Sequence, residues 1–388
     1  METTTRPLFT LYIVWHPLNE NGGKVADLLR RHFGRDRHRN IAGDPGLSVI
    51  YRCQMALGEP APLSIDWDEV ETTAVVVLVD SALAGDQEWS NYVRELSRNA
   101  QTRGLSARLF PVVMESGGRE LQLEEQALRW DRWEGSYADR QRRLVSDLTC
   151  EFIRMLRHRL CGPESTEAPL ADYLERIQVF ISHSKHDDDG ETIARSIRDW
   201  LHENSALSSF FDVRDIPVGL SFREVLLHQI ETSVVMTLHT DSYSSREWCR
   251  REVIEAKRRH VPMIVVDCLR DVDQRSIPYM GNVPVVRMGA DQQDRIRTVI
   301  GRLLDEVFRT YLWRCRVEPF REAYSDVLFT ARPPELISLA TLQAYESEGG
   351  AAIVYPEPPL ASDETRLFTE IAPNVRTLTL TEWMEEIP

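Results

Sequence analysis

Long apolar runs are missing from this 388-residue sequence, and none approaches the roughly 20 residues that span a bilayer. The stretch Leu8 to Trp15 is too short for a signal-peptide core and has no small-residue cleavage site behind it, so no membrane partner and a cytoplasmic location are expected. Cysteine is scarce and scattered, at positions 53, 150, 161, 249, 268 and 315. That spacing excludes a CxxC-type metal site, and six thiols are too few to staple a chain of this length, so neither metal nor other cofactor is expected. Basic charge is in deficit as well. With 46 Lys and Arg against 61 Asp and Glu, the net charge is −15, which argues against direct nucleic-acid binding because phosphate contacts need clustered cations. What is present is an ordinary globular composition, 42% hydrophobic and 28% charged, in a chain long enough for two or three domains.

The apolar segments are short and continuous rather than alternating, as in strands covered on both faces of a parallel sheet, and they alternate with helical patterns. An α/β fold follows. In the middle of the chain the pattern predicts strands at 178–182, 209–212, 233–239, 262–267 and 283–286, with helices at 191–203, 222–231, 247–260 and 291–311. That is a complete small doubly wound domain. The first part repeats the plan, with strands at 8–15, 73–80 and 107–113 and helices at 23–33 and 88–97. Ala74 to Trp89 aligns without a gap on Ser233 to Trp248 at an offset of 159 residues, the separation of Trp89 from Trp248, which suggests an internal duplication. In that alignment Val93 falls on Glu252. The expected organisation is a domain over 1–160, a polar, proline-bearing linker over 161–174, a second domain over 175–311 and a small α/β region over 312–388 with strands at 327–330, 351–355 and 375–381.

Ligands of open parallel sheets collect outside the carboxyl ends of the strands, so the loops there carry the chemistry. Ser182-His183-Ser184-Lys185-His186-Asp187 follows the first strand of the middle domain and reads either as a solvated loop ending in a helix cap or as a polar floor beneath a ligand. Phe211 to Gly219 follows the second strand; Pro217 and Gly219 fix a turn, and Arg214 and Asp215 beside it are placed to clamp phosphate or hydroxyl groups. Trp248-Cys249-Arg250-Arg251-Glu252 opens the helix after the third. Trp248 is expected to be a mostly buried helix-start residue. Cys249 stands where a helix dipole activates a thiol, but no histidine lies near it in sequence. Glu252 shares its side with Trp248 and Ala256, toward the apolar stripe and away from the wet face of Arg250, Arg251, Lys257, Arg258 and Arg259.

Taken in order, Val179-Phe180-Ile181-Ser182-His183-Ser184, Phe211 to Gly219, and Ser244-Ser245-Arg246-Glu247-Trp248-Cys249-Arg250-Arg251-Glu252 resemble the first box, the BB loop and the third-helix signature of a Toll/interleukin receptor (TIR) domain, over roughly 175–311. The resemblance implies a flavodoxin-like fold, with the N-terminal part a degenerate repeat whose first loop, His16 to Gly22, departs from the box. It also implies, as in many bacterial members, cleavage of NAD+ between nicotinamide and ribose, with NAD+ as substrate. Glu252 maps onto the catalytic glutamate, and Phe180, Ser182, His183, Arg214, Asp215 and Trp248 map onto regions lining the pocket. Nicotinamide leaves without protonation, so a carboxylate that holds the ribose hydroxyls and stabilises an oxocarbenium-like transition state supplies what the reaction needs. The expected role is an effector of bacterial antiphage defence, activated by self-association through TIR domains, by a protein partner or by a ligand. A non-catalytic TIR scaffold and a synthase of a cyclic or conjugated ADP-ribose are the alternatives.

Overall fold

The architecture, from a computed structural model, is described for residues 6–35, 46–54, 62–121, 123–161, 169–174, 177–186, 188–204, 208–211, 233–272, 275–289, 291–342 and 351–387. The chain divides into two compact units, Met1–Tyr173 and Leu174–Pro388.

The first unit runs β1 (Phe9–Trp15), α1 (Glu20–Phe33), β2 (Ser48–Arg52), β3 (Thr72–Val79), α2 (Ser81–Gly85), α3 (Gln87–Thr102), β4 (Ala107–Val113), α4 (Tyr137–Cys161) and α5 (Pro169–Leu174). Its strands form a parallel sheet in the order β2-β1-β3-β4. Every residue of β1 and β3 is buried, as continuous apolar strands with helices on both faces must be. Side-chain caps start the helices: Asn19 Oδ1 accepts from Gly22 N at 2.7 Å before α1, and Asp86 Oδ1 accepts from Glu88 N and Trp89 N before α3. The sequence pattern misses β2 because it is an edge strand with no fully buried residue.

The second unit continues with β5 (Gln178–Ser182), α6 (Asp188–Asn204), β6 (Ser208–Phe211), β7 (Ser233–His239), α7 (Glu247–Arg258), β8 (Met263–Asp267), β9 (Val285–Arg287) and α8 (Ile296–Arg321). Its main sheet is parallel in the order β6-β5-β7-β8-β9, the flavodoxin order, so the strand sequence reverses direction between β5 and β7. A crevice at their carboxyl ends is where such a sheet binds ligands. The first four strands of this order match the order of the N-terminal sheet. The expected helix at 222–231 and the loop at 212–219, with Arg214 and Asp215, lie outside the described residues.

The expected boundary at 311/312 falls inside α8, which continues without a break to Arg321 and buries Leu312, Trp313, Cys315 and Val317. The chain then adds β10 (Val327–Phe329), α9 (Leu336–Leu342), β11 (Ala351–Tyr355), α10 (Ser362–Ile371), β12 (Val375–Thr379) and α11 (Leu380–Glu386), with a parallel sheet β10-β11-β12. Trp383 of α11 explains the continuity. Its ring meets Phe320 and Tyr324, at the end of α8, and Phe329 edge-on at 5.0–5.3 Å, so the small sheet closes its core onto that helix. The last strand is shorter than the pattern suggests because Thr379 caps α11, accepting from Glu382 N.

Candidate functional site

At the carboxyl end of β5 stands Ser182, and at the end of β7 stand His239 and Thr240. The chain after β7 makes a tight turn through Tyr243–Ser245 and enters α7, which carries Glu252 back over the end of β5. Ser182 donates its hydroxyl to Glu252 Oε2. The Tyr243 hydroxyl lies 2.6 Å from Ser182 Oγ and 3.4 Å from the Cys249 carbonyl. Because the serine proton is committed to the carboxylate, the tyrosine supplies the proton of the shorter contact, giving a relay Tyr243 to Ser182 to Glu252. Ser242 Oγ donates to Ser184 Oγ at 2.6 Å, which ties the loops after β5 and β7 together.

All three relay groups are closed off, with Glu252 and Ser182 each 1% exposed and Tyr243 0%. Burial, with the Glu252 carboxylate and then Cys249 as lesser causes, holds the Tyr243 phenol well above its ordinary range. A carboxylate taken out of water costs several kcal/mol unless hydrogen bonds replace its hydration, and the hydroxyl of Ser182 is one such replacement.

The remaining sequence-derived residues divide. Phe180 is buried and packs with Tyr243, Cys249 and Val253, so it supports the relay from beneath. His183 is partly exposed at the rim, its carbonyl accepting from Cys249 Sγ at 3.7 Å. Cys249 is 3% exposed, a core thiol that points at that carbonyl. Trp248 overturns its expectation: it is 45% exposed. The buried stripe of α7 runs through Cys249, Glu252, Val253 and Ala256. At about 100° per residue, Trp248 lies about 40° beyond Glu252 and off that stripe.

The same geometry corrects the internal alignment. The N-cap of α3 is Asp86 and that of α7 is Arg246, while Met114 N donates to the Val79 carbonyl as Cys268 N does to that of His239. Both relations set the correspondence one residue further along than the tryptophan match. Trp89, which is 0% exposed, therefore stands where Cys249 does, and Tyr92 rather than Val93 stands where Glu252 does. Apolar strands buried on both faces carry no phase, so sequence similarity alone does not register them. By strand pairing, Val14 occupies the place of Ser182. Val14 and Tyr92 belong to one hydrophobic cluster, and the Tyr92 hydroxyl donates to the Leu63 carbonyl at 2.9 Å, with burial pushing its pKa up to about 12. The first unit thus has no carboxylate at this position.

Sequence reading missed Tyr243 and Ser242. Both lie in a serine-rich stretch without periodicity, and only the turn after β7 reveals their direction. Among the described residues no group of three or more His, Cys, Asp or Glu is placed to hold a metal ion, and no helix is long and apolar enough to cross a membrane.

Residues 179–300 match the model of the TIR domain family. No curated protein matches the chain. Among solved structures, tagatose-6-phosphate ketose/aldose isomerase from Escherichia coli is similar at 10% identity and a TM-score of 0.21, over 79% of this chain and 83% of that one, a likeness too low to bear on fold or function.

Proposed function

We propose that this TIR-domain protein, whose domain spans residues 179–300, is an NAD+ glycohydrolase that cleaves the nicotinamide–ribose bond with Glu252 as its catalytic carboxylate. The observation that carries the reading is the position of Glu252: the one buried acid among the three on the helix after β7, brought over the end of β5 at the point where the strand order reverses. Ser182 donates to it as a ribose hydroxyl would. In the reaction the carboxylate takes the hydroxyls of the nicotinamide ribose and stabilises the positive charge that builds on the ring as the neutral base departs. Water then captures the ribose to give ADP-ribose.

Phe180, Ser182, His183 and Trp248 are read as the pocket floor and rim, with Arg214 and Asp215 contributing from the loop after β6. The 1% exposure of Glu252 supports a silent resting form. Opening by self-association through TIR domains, or by an activating protein or ligand, fits a cytoplasmic effector of antiphage defence that depletes NAD+ when triggered. The matching strand order supports the N-terminal unit as a degenerate copy, with Val14 and Tyr92 in place of the Ser182–Glu252 pair.

A second reading follows from the same burial: Glu252 as an internal pin of a non-catalytic scaffold, its carboxylate serving only to tie α7 to β5. NAD+ consumption by the assembled protein, with wild type beside Glu252→Gln, separates the two. The glycohydrolase reading requires turnover in the wild type and its loss in the variant, whereas a scaffold turns over in neither.

A further inference from the structure

In a chain of net charge −15, the second unit contains a cavity of about 560 Å³ with no acidic residue among the described residues that line it. It lies at the carboxyl end of α7, where Arg258, Arg259 and His260 face Arg321, Tyr324 and Ser325 from the end of α8, with apolar residues of β10 behind them. Arg259 is paired with Glu255 at 3.0 Å. Arg258 and Arg321 have no hydrogen-bond or ion-pair partner among the described residues. Both arginines are exposed to solvent and both line the cavity, so each is open to an anion that enters it. The carboxyl end of a helix is a poor place for an anion by itself, carrying about half a negative charge. Here that end is already answered: Val261 N and His260 N close the last turn on the carbonyls of Ala256 and Lys257, Arg314 donates to the His260 carbonyl at 3.2 Å, and Arg332 donates to that of Val261 at 2.9 Å.

His260 supplies a second, independent observation. It occupies the left-handed position after the helix, φ 54°, where glycine is the usual residue and a side chain costs on the order of 1 kcal/mol. Its Nε2 is buried and has no hydrogen-bond partner among the described residues. Burial, and after it Arg332, Arg314 and Arg321, push its pKa down to about 4, so at neutral pH it is an uncharged ring able to donate one proton. A strained backbone that holds an unanswered polar ring beside two unanswered arginines makes sense when something else completes the set.

We infer that this cavity is a binding site for a phosphorylated small molecule, with Arg258 and Arg321 as forks for phosphate oxygens and His260, Tyr324 and Ser325 as neutral hydrogen-bonding partners. The planar guanidinium pairs with phosphate through two parallel hydrogen bonds. The volume falls within the range of about 300–1,000 Å³ typical of sites for nucleotide-sized ligands. This site is built at the far end of α7 from its first turn and does not depend on the reading of Glu252.

Titration calorimetry of the full chain with inorganic pyrophosphate tests it, comparing wild type with Arg258→Glu and Arg321→Glu and, as a charge-matched control on α10, Arg366→Glu. The expected result is saturable one-to-one binding in the wild type and in Arg366→Glu, weakened at least ~10-fold in each of the other two. Arg258→Gln and Arg321→Gln give the same comparison should charge reversal unfold the protein. Absence of saturable binding, equal binding by all variants, or binding of citrate as tight as that of pyrophosphate would overturn the inference.

Discussion

Ser182 and Glu252, 70 residues apart in sequence, are joined by a buried hydrogen bond from the serine hydroxyl to the carboxylate. The bond fixes α7 over the end of β5 and gives the acid a partner where water does not reach. Replacing Ser182 by alanine removes the donor to Glu252 and the acceptor of Tyr243 together. Ser182→Ala is expected to lower stability by about 2–3 kcal/mol, read from the denaturant midpoint of the full chain, since a buried charged acceptor then loses its hydrogen bond. A change below about 0.5 kcal/mol would show that the carboxylate is held by other means.

Trp89 and Trp248 align by sequence and differ in environment, one fully buried and the other 45% exposed. Trp89→Ala is therefore expected to cost about 3–5 kcal/mol, whereas Trp248→Ala should cost less than about 1 kcal/mol. Thermal unfolding of the two variants checks the contrast. Equal losses would restore the alignment that the helix caps reject.

Lys257 ends the buried stripe of α7 with its side chain 4% exposed, donating to Glu335 and to the Gly281 carbonyl at 2.6 Å. Burial lowers its pKa, and Glu335 works against that shift. Glu335→Gln leaves a buried ammonium without its counter-charge and is expected to cost about 3 kcal/mol, with Lys257→Met in the same chain recovering most of the loss. Denaturant titration of the single and double variants reads the difference.

His260 gives a pH dependence with a defined sign. Its pKa is about 4 in the folded chain against an ordinary 6.5, so between these values the unfolded chain binds the extra proton. Stability from this group is complete above pH 6.5 and is lost as pH falls toward 4, by about 3 kcal/mol at most. His260→Asn keeps a side chain that tolerates the left-handed turn and removes the titration. The difference in stability between wild type and variant should shrink across that window on acidification; a difference independent of pH would exclude the shift.

Much of this was legible in the sequence, for reasons that particular residues make plain. Val75 to Val79 and Val234 to Leu238 announce themselves as strands because both faces are covered, and Ala107–Val113 and Ala351–Tyr355 fall where the apolar runs end. The edge strand Ser48–Arg52 is half-exposed and lacks that signal. The expected boundary at 311/312 lies within α8, whose apolar residues serve two cores in succession, and sequence does not say which core a buried leucine joins. Glu252 was readable as an acid near an apolar stripe, since helical periodicity is robust. Its partner was not, because Ser182 and Tyr243 meet it only through the crossing of β5, the turn after β7 and α7. The exposure of Trp248 turned on about 40° of helical phase, finer than a pattern of residue types resolves.

The central claim is that Glu252 is a catalytic carboxylate and more than an internal pin. NAD+ consumption by the full chain, assembled at raised concentration or with an activating partner, tests it most directly when wild type is compared with Glu252→Gln, which keeps the shape of the side chain. The expected result is nicotinamide release by the wild type and a loss of at least ~10²-fold in the variant, the scale for removing a main electrostatic stabiliser. Release unchanged in Glu252→Gln, or no release by the wild type under any of these conditions, would contradict it.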